Sequence, residues 1–161
     1  ELGSNGPTSL GLTTTTPETL NLDFQTGIAA DTLLFGSIRY VAWDGFALVD
    51  DSQFTPDPIL DYDDDVVTYN VGIGRRLSDQ LSASFSIGYE AATGEPGGNL
   101  GPTDGYISYQ IGAAYTMDNG VEISGGVRYV DVGDTITEPP VKGDFQNNSV
   151  RAFGLKIGYS F

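Results

Sequence analysis

The chain has 161 residues and a net charge of −15, with 22 Gly, 9 Tyr and 8 Phe but no Cys and no His. So acidic a chain argues against a nucleic-acid partner, which needs a basic surface, and the missing His and Cys remove the usual nucleophile and base pairs, so neither an enzyme nor a cofactor is expected. No apolar run approaches the roughly 20 residues of a membrane helix, so a membrane-spanning form would have to be a closed barrel, the other way of satisfying backbone groups in lipid.

Residues 1–17, ELGSNGPTSLGLTTTTP, carry no periodicity and are expected to be an extracellular loop or tail with little order. Glu1 opens without Met or a signal peptide, so a mature, trimmed or partial chain is expected. From residue 18 onward the pattern is that of a barrel wall. Leu20, Leu22, Phe24, Thr26 and Ile28 alternate with polar residues and Gly in a first strand. Ala29 to Asp31 forms a short turn, and Thr32 to Trp43 a second strand with apolar residues on both parities. Arg39 decides its facing, because a charge on the lipid side at mid-membrane costs about 2–4 kcal/mol. Phe35 and Trp43 therefore point into the lumen with Arg39.

A long Asp-rich loop from Asp44 to Asp65 follows, then a third strand through Val67, Tyr69, Val71 and Ile73. The fourth strand sets Leu81, Ala83, Phe85, Ile87 and Tyr89 against Ser82, Ser84, Ser86, Gly88 and Glu90. A second long loop, Ala91 to Thr103, leads to a strand through Ile107, Tyr109, Ile111 and Tyr115. Asp118-Asn119-Gly120 has the composition of a hairpin turn with positive φ. The sixth strand runs through Val121, Ile123, Val127 and Tyr129, and a third long loop occupies Asp131 to Asn148. In the last eleven residues Phe153, Leu155, Ile157, Tyr159 and Phe161 share one parity. This ending resembles the terminal signal by which bacterial outer-membrane barrels are recognised for assembly, with Tyr159 third from the end and Phe161 last.

Short and long connections alternate along the chain, as in outer-membrane barrels with short periplasmic turns and longer extracellular loops. The expected fold is all-β: an antiparallel transmembrane β-barrel of outer-membrane type, in the bacterial outer membrane. Seven meander strands are visible, and single-chain bacterial barrels have an even number. Either a strand hides in the first seventeen residues or, preferably, residues 18–161 are the C-terminal part of a larger barrel.

The stretch from Pro17 to Trp43, PETLNLDFQTGIAADTLLFGSIRYVAW, resembles a hairpin in the C-terminal half of the FadL family, outer-membrane transporters of long-chain fatty acids and aromatic hydrocarbons. The resemblance implies a barrel of about fourteen strands, inside the even-numbered range of such proteins, with a missing N-terminal half as partner. It also implies passive uptake of hydrophobic small molecules, captured outside and released sideways through the wall. The family's N-terminal plug and lateral gap have no counterpart in this sequence.

Inward Phe35, Arg39, Trp43, Arg128 and Lys156 are the candidate substrate-lining residues, the cations because Arg meets a carboxylate with paired donors. Asp61, Asp63 and Asp65 stand in an acidic cluster that could hold Ca²⁺ or bridge it to lipopolysaccharide phosphates. Their spacing is not that of an EF-hand, so a solvated loop is preferred and no metal is expected. The outward Tyr residues read as an interface girdle in contact with outer-membrane lipid and lipopolysaccharide. Assembly machinery is the further partner implied by Tyr159 and Phe161. The competing expectation is a small eight-stranded barrel with a filled interior and a structural, anchoring or adhesive role.

Overall fold

A computed structural model describes residues 12–50, 60–62, 64–98, 100–137 and 141–159. Every regular element in them is a strand: β1 (Leu12–Thr13), β2 (Thr19–Ala29), β3 (Thr32–Val41), β4 (Phe46–Asp50), β5 (Leu60–Tyr62), β6 (Val66–Arg76), β7 (Leu81–Glu90), β8 (Tyr106–Thr116), β9 (Val121–Val132), β10 (Thr135–Ile136), β11 (Asp144–Phe145) and β12 (Ser149–Tyr159). The seven long strands make one sheet in the order β12-β9-β8-β7-β6-β3-β2, an antiparallel meander. The expected strands and their number are found. Within the described residues the sheet does not close, for β2 and β12 each pair on one side only.

Short turns gather at one end of the sheet. Asp31 adopts φ 55° in the β2–β3 turn and Gly120 φ 83° in the β8–β9 turn, the left-handed conformation that tight hairpins demand. Asp31 also forms an ion pair with Arg76, tying this turn to the end of β6. Both side chains are exposed, so the pair contributes little to stability.

The long loops gather at the other end and fold on one another. β1 pairs with β4, and β4 with β5, in a small separate sheet. Leu12–Thr13 is thus paired with Asp50 and Val49, where the sequence suggests little order; residues 1–11 lie outside the described residues. Asp104, only 8% exposed, accepts hydrogen bonds from Thr93 N (2.7 Å), Thr93 Oγ1 (3.1 Å) and Gly94 N (2.8 Å), clasping the second loop at its base. The second and third loops join where Gly97 N donates to Ile136 O at 3.0 Å and Thr135 Oγ1 at 2.9 Å.

The sheet has two unlike faces and almost no conventional core. Among the described residues Val41 is the one buried apolar side chain, whereas Phe153, Leu155 and Leu22 are 90%, 74% and 60% exposed. Register makes the division continuous. Thr26, Leu34, Ile73, Phe85, Ile111, Val127 and Phe153 stand opposite one another across all seven strands, an outer-face rank apolar at every place but the first. The next rank toward the loop end faces the other way: Gln25, Phe35, Gly72, Ser86, Gln110, Arg128 and Ala152. A protein folding in water buries its apolar face, and contiguous exposed patches above a few hundred Å² are uncommon on monomers. This sheet leaves its apolar face out.

Candidate functional site

The inner face carries a trough of about 1150 Å³ toward the short-turn end, lined from all seven strands. Its origin is a rank of small residues. Gly27, Leu33, Gly74, Ser84, Gly112, Gly126 and Gly154 are mutual neighbours across the sheet, so this rank holds five glycines and one long side chain. Side chains of ordinary size would fill the space that these positions leave open.

One wall of the trough is apolar. Phe35, on β3, lies across its neighbour Gly72, where an added Cβ would collide with the ring and come within 2.7 Å of Ser86 Cβ. The glycine gives the ring a flat seat. Phe35 also borders a smaller inner cavity of about 370 Å³ with Asp23, Gln25, Ser37 and Asn70. Leu33 lies one inner position from Phe35 toward the turn end.

The opposite wall is cationic. Arg128, on β9, is half-buried; its Nη2 donates to Ser108 Oγ at 3.1 Å and its guanidinium carbon lies 5.9 Å from the centroid of the Tyr106 ring. Its Nε is buried with no hydrogen-bond partner among the described residues. An unsatisfied buried donor on a cation is costly, about 1–3 kcal/mol or more. Lys156, on β12, lines the same trough and is exposed. The charged lining residues are Asp31, Arg75, Arg76, Arg128 and Lys156. Arg75 shares the outer-face parity of Val71 and Ile73, so the inward lining carries three cations and one anion, a formal +2, in a chain whose net charge is −15. Arg76 is engaged by Asp31, which leaves Arg128 and Lys156 as the inward cations available to a ligand.

Two of the five candidate lining residues therefore meet in one rank. Phe35 and Arg128 are four strand spacings apart, about 19 Å along the curved sheet at some 4.8 Å per strand. Lys156 joins them from the rank that holds Arg76, Ser82, Ala114 and Ser124. Arg39 stands two inner ranks nearer the loops, beside Asn21 and Thr68, exposed and bordering neither cavity. Trp43 also borders neither. It lies past the end of β3 and packs with Phe46 (centroids 5.1 Å, edge-on) and Tyr62 (5.0 Å) as the small core of the loop sheet. Tyr106, Ser108 and Gln110 were not singled out in the sequence, although their shared parity on the polar face of β8 was a usable signal.

The acidic candidates are not gathered for a metal. Among the described residues no group of three or more carboxylates is placed to hold a cation. Asp65 is committed to structure: its Oδ2 accepts from the Tyr40 hydroxyl and its Oδ1 from the Asp44 N–H at 3.0 Å. These bonds, the Tyr40 one first, hold its carboxyl below the usual carboxylate range. Asp61 is exposed on β5, and Asp63 lies outside the described residues. Tyr159 ends β12 on the apolar outer face at 64% exposure; Phe161 lies outside the described residues.

No family model matches the chain, and none of the curated proteins matches it significantly.

Proposed function

We propose that this chain is a wall segment of a bacterial outer-membrane β-barrel, and that the barrel passes hydrophobic molecules with an anionic end, of the long-chain fatty acid kind, across the membrane. The outer face becomes the lipid face, with Tyr69, Tyr89, Tyr109 and Tyr129 near the loop end and Tyr115 and Tyr159 near the turn end as its interface girdle. From Tyr109 to Tyr115 is six residues, about 20 Å along the strand at 3.3 Å per residue and about 15 Å along the membrane normal at a tilt of about 40°, inside the roughly 25 Å apolar band such barrels present. The likeness of Pro17 to Trp43 to the FadL family agrees with this reading.

The observation that carries the function is the trough's pairing of an apolar wall with a cationic one in an otherwise acidic chain. Arg128 and Lys156 would meet the carboxylate, while Phe35 and Leu33 would meet the hydrocarbon. Passage needs binding that is weak enough to reverse, and a charged hydrogen bond of about 1.5–3 kcal/mol suits that need. The test is uptake of a radiolabelled long-chain fatty acid by cells carrying the protein in their outer membrane. Uptake above that of cells lacking it, reduced by Arg128→Met, is the expected result. Recovery of the protein outside the outer-membrane fraction, or uptake indifferent to its presence, refutes the proposal.

A further inference from the structure

The tyrosines of the outer face lie on a line oblique to the ranks. Tyr40, Tyr69, Tyr89, Tyr109 and Tyr129 come one each from β3, β6, β7, β8 and β9, which are neighbours in the sheet. Tyr69 and Tyr89 share one rank, Tyr109 and Tyr129 share the next toward the turn end, and Tyr40 stands one rank nearer the loops than Tyr69. The line thus falls by two outer ranks, or four residues, between β3 and β9. At about 3.3 Å per residue and some 4.8 Å per strand, that is about 13 Å down over about 19 Å across, a slope of roughly 35°. A second line near the turn end has the same slope: Arg75, Tyr115 and Tyr159 occupy successive outer ranks on β6, β8 and β12. Transmembrane barrel strands tilt by about 35–45°, a tilt that sets both lines level in a membrane.

On the barrel reading above, we infer that Arg75 and Arg151 bind lipid phosphates in opposite leaflets. Both are exposed on the apolar outer face, and neither has a carboxylate partner among the described residues. Arg151 stands opposite Tyr129, one outer rank from Phe153 toward the loops, and Arg75 one outer rank from Ile73 toward the turns. They are therefore only about 13 Å apart along the strand direction. With level ranks both would fall inside an apolar band of roughly 25 Å, where a cation is costly. Tilt by about 35° adds the four strand spacings between β6 and β12 to their difference in height, which becomes about 22 Å. Arg75 then lies level with Tyr115 and Tyr159 at one border, and Arg151 just beyond the tyrosine line at the other. Asp131, the remaining charge of this face on the long strands, also lies beyond that line, one rank past Tyr129. At such a border the Arg stem covers apolar surface while its head reaches polar groups, and the guanidinium offers a phosphate paired N–H donors.

The experiment uses the assembled barrel, isotope-labelled at the arginine nitrogens, in phosphatidylglycerol vesicles free of inorganic phosphate. Solid-state NMR reads the dephasing of guanidinium nitrogen by lipid phosphorus. A partial loss of dephasing in Arg75→Gln and in Arg151→Gln, and its complete loss in the double variant, is the expected result. Absence of dephasing in the unsubstituted protein, or dephasing that either single substitution leaves unchanged, overturns the inference. Depth is read separately from spin labels on single cysteines at Arg75, Ala113 and Leu155, which share one rank. Oxygen contact rising from Arg75 through Ala113 to Leu155 is expected, and equal depth at all three overturns the opposite-leaflet placement. A Leu155 label in water would instead defeat the barrel reading, so the two failures are distinguishable.

Discussion

Placing one cation on each face of the sheet separates a lipid-facing wall from a sheet in water. Ile111 is the sixth of the eleven residues of β8, 59% exposed, and stands between Phe85 and Val127 in the apolar rank. At the midplane of a bilayer Ile111→Arg costs about 2–4 kcal/mol. That is roughly a 30- to 700-fold loss in the folding equilibrium. On a surface in water the same exposed substitution falls within about 0.5 kcal/mol of neutral. Ser84→Arg is the control: Ser84 faces the trough between Gly74 and Gly112, where a long side chain has room. The assay is a urea titration of the assembled protein in lipid vesicles, followed by the fluorescence of Trp43, the single Trp. A large destabilisation by Ile111→Arg with little from Ser84→Arg is expected. Equal effects, or a near-neutral Ile111→Arg, would refute the assignment of the faces.

Arg128→Met removes the bond to Ser108 and the trough's half-buried cation, and should weaken fatty acid binding about 10- to 100-fold, on the scale of a charged hydrogen bond; equilibrium binding to the purified protein reads this directly. Gly72→Val drives a side chain into the seat of Phe35 and should cost about 1–3 kcal/mol by overpacking, measured by the same urea titration. Asp104→Ala unmakes three hydrogen bonds and should open the loop around Thr93 and Gly94 to proteases without changing strand content by circular dichroism. Asp65 has a folded-state pKa below its unfolded value, so its contribution is present above the unfolded pKa and lost as pH falls through the folded one. The nearby Trp43 emission should hold steady down through the ordinary carboxylate range and change only below it, and Asp65→Asn should abolish that late transition.

The strands were legible because two unlike faces impose a period of two. Leu20 to Ile28 in the pattern became Thr19–Ala29 in the sheet, and Leu81 to Glu90 was met residue for residue. The same counting misplaced Trp43. Parity holds only as far as Val41, for there the Trp43 N–H turns back to Val41 O at 3.0 Å and the ring leaves for Phe46 and Tyr62. Arg39 shows a second limit. Its facing follows from parity, but its height relative to Arg128 depends on register accumulated over four hairpins, which no local pattern encodes. The pairing of β1 with β4 and the Asp104 clasp join segments that look locally like solvated loops, and their partners are distant or irregular. Phe35, Arg128 and Lys156 could be named from sequence; that register sets the first two in one rank could not.

The most direct test of the account is a cysteine scan of β7, made clean by the absence of native Cys. Single cysteines at residues 82–87, labelled with bimane in the assembled protein, would be probed with brominated lipid and with a water-soluble quencher. The account predicts alternation: lipid quenching at Ala83, Phe85 and Ile87, aqueous quenching at Ser82 and Ser84, with Ser86 buried and shielded from both. Equal aqueous quenching on both parities would contradict it, leaving the apolar rank in water and the trough without a membrane to serve.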